Sequence, residues 1–242
     1  MIVSNDKTIV IFTPTKTGST SLRSELCANS TKAKEKGGKA FFKMPPHHRY
    51  KITPDLDIDM KQIKHSFVIV RNPWEVLISQ FHFHQISRRQ KYVTKLIVDV
   101  PYTVAGFEIF CERWAAKRWL QIERFAEGKE IYDAWVLTCF DNWLHMSELP
   151  SRKFFRLEDS GTDGLLSTIK AIDPVTYAGV KLGRHQNRTK GERGKQAGQL
   201  PVLRDQFDFH YTAKARDAIG NIFASDCRAF SYPTEPDSIG SI

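Results

Sequence analysis

Residues 8–22 carry the side chains of an anion-binding loop. An apolar, β-branched run, Ile9–Phe12, is followed by a basic residue, Lys16, and by Gly18. Three consecutive hydroxyl side chains then precede a segment that is compatible with a helix: Ser19, Thr20 and Ser21. A strand, a tight turn and a helix N-terminus in this order direct backbone N–H groups and the helix dipole at one point. Because Gly18 lets the backbone approach a ligand and Lys16 adds a full charge, the segment predicts a phosphate or sulfate site.

A second pattern of this kind follows the apolar run Ser66–Val70. Arg71 comes directly after the run, where the ligands of open α/β sheets bind, and Ser79 stands eight residues later. Apolar spacing predicts a helix over 74–84 that begins near Pro73, so Ser79 lies about two turns inside it. An arginine fork and a serine hydroxyl are suited to holding a terminal phosphate.

The order of residues separates the first loop from the common nucleotide-triphosphate loop. That loop needs Gly, four residues and then Gly-Lys-Ser/Thr, whereas here the lysine precedes the glycine by two positions. The order Pro14, Lys16, Gly18 and three hydroxyls instead resembles the 5′-phosphosulfate loop of sulfotransferases that use 3′-phosphoadenosine-5′-phosphosulfate. That family usually has proline directly before lysine. Here Thr15 intervenes, which predicts a bulge at the start of the loop.

Other segments resemble the same family, in the same order along the chain. Arg71-Asn72-Pro73, with Ser79 eight residues after the arginine, is similar to its 3′-phosphate motif. Residues 155–159 resemble its strand that ends in Tyr-Glu-Asp, with Leu157 in place of the tyrosine, and residues 185–189 resemble its His-x-Asn-x-Ser loop. Residues 211–232 resemble its closing helix, so the similarity covers most of the chain and is weakest over 86–150.

Apolar spacing predicts further helices over 107–125, 164–172 and 212–224, the last of which begins at the cap Thr212. The alternation of strands and helices predicts an α/β fold, a three-layer α/β/α sandwich around a mostly parallel sheet. The resemblance adds the P-loop-like sulfotransferase fold, with a single domain over residues 1–232 and a disordered tail over 233–242. It also implies a reaction. A sulfuryl group would pass from 3′-phosphoadenosine-5′-phosphosulfate to a hydroxyl or amine of an acceptor.

The resemblance assigns residues to the cofactor. The 5′-phosphosulfate would sit on Thr17–Ser21, and Lys16 would stabilise charge on the bridging oxygen as the bond breaks. Arg71 and Ser79 would anchor the 3′-phosphate. In the basic loop 181–195, phosphate contacts are expected from Arg188 and Lys190.

The acceptor also needs a general base, most often His or Glu. His48 is favoured for this role and His47 comes next, because many relatives place a histidine between the two phosphate motifs. His82 and His84 lie on the predicted helix that carries Ser79 and are expected only to shape the pocket.

The composition is ordinary for a globular protein, with a charge that suits an anionic ligand. The 242 residues are 41% hydrophobic and 26% charged, and the formal net charge is +9. No apolar run has the length of a membrane span and the N-terminus lacks a signal-peptide pattern, so we expect a cytoplasmic protein. The four cysteines are scattered without metal-ligand spacing, which predicts reduced thiols and no metal site.

Two other functions stay open at this point. A P-loop nucleotide-dependent phosphotransferase would need the Gly-Lys-Ser/Thr order and an acidic metal ligand at a strand end, and the sequence has neither. A non-catalytic, basic polyanion-binding module explains the charge but not the two motifs with their spacing. We therefore expect no nucleic-acid partner, and a glycan or another hydroxyl compound as acceptor.

Overall fold

The structure is a computed structural model that describes residues 1–18, 22, 26, 42–43, 58–89, 96–97, 99–127, 136–159, 161–178 and 211–236. The chain forms two compact units. The sheet unit comprises Met1–Arg71 and Thr138–Asn187, and the helical unit comprises Asn72–Leu137 and Arg188–Ile242. The single domain over residues 1–232 stays a prediction.

The described residues of the sheet unit form one sheet of five strands in the order β3-β1-β2-β4-β5. In chain order these are β1 Ile2–Ser4, β2 Ile9–Phe12, β3 Phe42–Lys43, β4 His65–Val70 and β5 Arg152–Arg156. β2, β4 and β5 pair in parallel, whereas β1 is antiparallel to both β2 and β3. Four of the five strands thus run in one direction. The predicted α/β class with a mostly parallel sheet is confirmed.

The two central strands are apolar on both faces. All four residues of β2 are at most 1% exposed, and β4 is buried from Ser66 to Val70. β-Branched residues fit this pleated, doubly buried surface, and continuous apolar runs are typical of parallel strands covered on both sides. Such burial is what a three-layer sandwich requires. The three-layer arrangement itself stays a prediction.

Two helices of the sheet unit pack on these strands: α3 Cys139–His145 and α4 Gly161–Ile172. Helices α1, α2 and α5 belong to the helical unit. α3 begins at a capping box in which Thr138 and Asp141 satisfy each other's backbone N–H groups. The apolar face of α4 joins the core with alternate residues of β2 and β4: Leu165, Leu166, Ile169, Ile9, Ile11, Phe67 and Ile69.

The sequence analysis did not predict β1. A tight turn joins it to β2, and in this turn Asp6 accepts hydrogen bonds from the Ser4 hydroxyl at 2.5 Å and from the Thr8 N–H at 3.1 Å. Lys7 takes a left-handed φ of 60° in the same turn. Because β1 has only three residues, its alternation is too short to be recognised.

The helical unit contains α1 Pro73–Arg89, α2 Val104–Ala126 and α5 Ala213–Phe230. Asn72 caps α1, since its side chain accepts the Trp74 N–H at 3.1 Å, and Pro73 takes the first helical position as predicted. Thr212, the predicted cap of α5, accepts the Ala215 N–H at 3.1 Å. The helices predicted over 74–84, 107–125 and 164–172 are confirmed and extend further.

Aromatic side chains fill the core of the helical unit. Trp74 meets Tyr211 and Phe223 edge to face, with ring centroids 5.0 and 5.3 Å apart. The Tyr211 hydroxyl donates to the Trp74 carbonyl at 2.6 Å. Full burial holds the pKa of Tyr211 well above its usual value, so this hydroxyl stays a donor. None of the helices in the described part of the chain is long and apolar enough to cross a bilayer.

Two helical glycines give a test of packing in the helical unit. A Cβ at Gly106 would lie 1.8 Å from the Pro101 carbonyl oxygen, whereas one at Gly220 would meet only the Trp74 ring at 4.0 Å. Gly106→Ala should lower the free energy of unfolding by about 2 kcal/mol or more. Gly220→Ala should raise it by about 1 kcal/mol, because alanine is the better helix former. Urea unfolding of both variants measures this, and equal stability of the two would contradict the packing.

Candidate functional site

The loop after β2 is a tight turn held by its own side chain. Thr17 is fully buried, and its hydroxyl donates to the Pro14 carbonyl at 2.8 Å, which closes a turn over Thr15 and Lys16. Lys16 adopts a left-handed φ of 65°, a conformation that glycine or asparagine usually supplies in turns. The Thr17 hydroxyl thus stabilises the loop from inside, which the sequence did not predict.

Gly18 is the last described residue of the turn. Its φ is 80°, and its carbonyl accepts the N–H of Leu22, which is helical, at 3.2 Å. A Cβ here would lie 3.2 Å from Leu157 Cδ1 and 3.7 Å from Thr162 Cγ2. Gly18 is therefore needed both for its φ and for the close approach of the loop to the end of β5 and the start of α4. The described residues follow the predicted order of strand, turn and helix.

Arg71 reaches this loop from the next strand. Its Nη1 donates to the Lys16 carbonyl at 3.3 Å. The contact follows from the parallel register that pairs Phe12 with Val68, since parallel strands present their carboxyl ends at one edge of the sheet. The structure thus brings together four predicted site residues: Lys16, Thr17, Gly18 and Arg71. A guanidinium carries five N–H donors in a planar fork, a geometry that suits a phosphate or sulfate.

A third cation at this edge was not among the predicted site residues. Arg156 is the last residue of β5 and pairs with Val70, and Leu157 extends the pairing through an N–H bond to the Val70 carbonyl at 2.8 Å. The Arg156 guanidinium lies 3.5 Å from the Asp159 carboxylate in a partly exposed ion pair, which contributes little stability. Its position at the end of a predicted parallel strand is the signal that could have found it.

Ser79 and two of the histidines lie on α1. Ser79 is partly exposed, in the second turn of the helix as predicted. His84 is 1% exposed and lies against the rings of Phe83 and Phe110, whereas His82 is partly exposed beside Tyr102. The expected role of both histidines in shaping the pocket stays a prediction.

His65 lies at the amino end of β4, the opposite end from Arg71. Burial, together with the charges of Lys153 and Lys64, lowers the pKa of this imidazole. His65 is thus a poor candidate for a base at the carboxyl edge. Seven predicted site residues lie outside the described part of the chain: Ser19, Thr20, Ser21, His47, His48, Arg188 and Lys190.

The chain matches no model of a known protein family, and no curated protein matches it. The resemblance to sulfotransferases therefore rests on the residues quoted above. Within the described ranges, no group of three or more His, Cys, Asp or Glu side chains is arranged to hold a metal ion.

The left-handed conformation of Lys16 can be tested with two substitutions that both remove its charge. A left-handed φ costs a residue with a Cβ about 1–2 kcal/mol, a cost that glycine avoids. Glycine also raises the entropy of the unfolded chain, which offsets part of this gain in stability. Lys16→Gly should therefore exceed Lys16→Ala in free energy of unfolding by about 1 kcal/mol, measured in urea. If Lys16→Ala were the more stable variant, the left-handed turn would be refuted.

Proposed function

We propose that this protein is a sulfotransferase that moves the sulfuryl group of 3′-phosphoadenosine-5′-phosphosulfate to a hydroxyl or amine of an acceptor, expected to be a carbohydrate. The observation that carries the proposal is the bond from Arg71 Nη1 to the Lys16 carbonyl. It joins two motifs that the resemblance to sulfotransferases assigns to the two ends of one cofactor. Lone motifs of this length mislead often, and a contact between two of them is less easily a coincidence.

The chemistry needs positioning and charge stabilisation more than covalent help. The bond between sulfur and the bridging oxygen of the cofactor breaks while the acceptor oxygen or nitrogen bonds to sulfur in line. The Lys16 ammonium would neutralise charge on the bridging oxygen, and the backbone N–H groups of the turn would hold the 5′-phosphate. The acceptor proton would pass to a base, for which His48 and then His47 remain the proposed residues.

The two alternatives are supported less well. A nucleotide-dependent phosphotransferase of the P-loop type places its lysine after the second glycine, whereas Lys16 precedes Gly18. A binding module for polyanions needs a basic surface but has no need for a lysine held in a left-handed conformation. Residues in such conformations cluster at ligand sites, which favours a specific anion.

Selective stabilisation by the product nucleotide tests the cofactor class. 3′-Phosphoadenosine-5′-phosphate, present at about 100 times its Kd, should stabilise the fold by about 2.7 kcal/mol and raise the Tm by about 5–10 °C. AMP and ATP at the same concentration should give a much smaller shift. Equal shifts with all three nucleotides, or a shift with ATP alone, would reject the proposal.

Lys16→Ala tests the catalytic role. Transfer of radiolabelled sulfate from 3′-phosphoadenosine-5′-phosphosulfate to a panel of sugars should fall by about 10²–10³-fold, the usual cost of losing one charge-stabilising group. Because Lys16→Gly also lacks the charge, it should be equally inactive although it is more stable. Near-normal turnover in either variant would exclude the assigned role.

Arg71 variants test the assignment of the 3′-phosphate. Calorimetric titration should show that Arg71→Ala loses most of the preference for 3′-phosphoadenosine-5′-phosphate over AMP, which lacks that phosphate. Arg71→Lys keeps the charge without the planar fork and should retain an intermediate preference. An unchanged preference in Arg71→Ala would show that the 3′-phosphate is held elsewhere.

A further inference from the structure

A histidine and a tyrosine of the helical unit form a hydrogen-bonded pair. His82 Nδ1 bonds to the Tyr102 hydroxyl, and the two rings meet edge to face with centroids 5.5 Å apart. Both side chains are partly exposed. The pair thus combines a fixed imidazole with access to the surface of the unit.

The segment that carries Tyr102 is anchored on both sides. The Tyr102 ring stacks on Phe81 with centroids 5.7 Å apart and planes 17° from parallel. Gln85 Nε2 donates to the Val100 carbonyl at 3.0 Å, and the Thr103 hydroxyl accepts the Gly106 N–H at 3.1 Å where α2 begins. The Tyr102 hydroxyl is therefore held in place, and it fixes the orientation of the imidazole that it contacts.

The Tyr102 hydroxyl can donate to Nδ1 or accept from it, and the two cases place the proton of a neutral imidazole on different nitrogens. A hydroxyl that donates to Nδ1 leaves the proton of a neutral imidazole on Nε2. Nε2 is then a donor whether the ring is neutral or protonated. A histidine oriented in this way is suited to bind an anion rather than to accept a proton.

His82 lies three residues after Ser79 on α1. Side chains three positions apart on a helix are neighbours, with Cβ atoms about 5–6 Å apart. Glu75, four residues before Ser79, lies on the same side of α1, and its carboxylate would repel a phosphate bound at Ser79. A second donor next to Ser79 would offset this repulsion.

We propose that His82, oriented by Tyr102, donates from Nε2 to the 3′-phosphate that Ser79 binds, and so helps to select a 3′-phosphorylated nucleotide. The inference rests on the proposed function and adds a residue pair to the site. His84, which is two positions along the same helix but lies in the core, takes no part in this contact.

Three substitutions separate a donor at Nε2 from a structural role. Asparagine places its amide nitrogen where Nδ1 was, whereas glutamine places it where Nε2 was. His82→Asn should therefore bind 3′-phosphoadenosine-5′-phosphate about tenfold more weakly, as expected for one lost bond to a charged group, with AMP binding unchanged. His82→Gln should lose much less. Tyr102→Phe keeps the stacked ring but not the hydroxyl and should lie between them.

Gln85→Ala is the matched control, because it breaks the other hydrogen bond to the same segment without touching His82. It should bind both nucleotides as the wild type does, and calorimetric titration measures all five proteins. A wild type without preference for the 3′-phosphorylated nucleotide would overturn the proposed function and this inference with it. A wild type with that preference, together with an unchanged His82→Asn or a Gln85→Ala that shows the same loss, would overturn this inference alone.

Discussion

The site depends on the parallel pairing of β2 with β4. Ile9 pairs with His65 and Phe12 with Val68, so both strands end at the same edge of the sheet. The turn that follows one strand and the arginine that follows the other are then neighbours, although they are far apart along the chain. A slip of one residue would move Arg71 by about 3.3 Å and exchange the faces of the strand. The bond from Arg71 to the Lys16 carbonyl would then be lost.

The loop after β2 holds an unfavourable conformation, and its neighbours in the fold maintain it. Lys16 is left-handed, Gly18 is left-handed, and the buried Thr17 between them gives its hydroxyl to the Pro14 carbonyl. Left to itself, a lysine would adopt a right-handed or extended conformation. The Arg71 bond to the Lys16 carbonyl and the Thr17 bond to the Pro14 carbonyl hold the loop in place, and Leu157 leaves little room for a side chain at Gly18. Strain that neighbours maintain in this way is a common feature of ligand sites.

The sequence predicts the elements better than the contacts between them. β2, β4 and the long helices were found because their apolar residues repeat with the strand or helix period over enough residues. β1 was missed because three residues carry no readable period, and α4 begins at Gly161 rather than near Gly164 because helix starts are set by caps more than by apolar spacing. The spacing of Arg71 and Ser79 indicated a phosphate site. It could not predict that Arg71 also donates a hydrogen bond to the Lys16 carbonyl, because that contact depends on how β2 and β4 pair. The same holds for the left-handed φ of Lys16 and for the pairing of His82 with Tyr102, which depend on tertiary packing.

A crystal structure of the protein with bound 3′-phosphoadenosine-5′-phosphate tests the central claim most directly. Our account predicts the 5′-phosphate within hydrogen-bond distance of the Gly18 N–H and the Lys16 ammonium, with the bond from Arg71 to the Lys16 carbonyl or to the nucleotide in place. A nucleotide bound away from the carboxyl edge of β2 and β4, or a 5′-phosphate without contact to the turn, would contradict it.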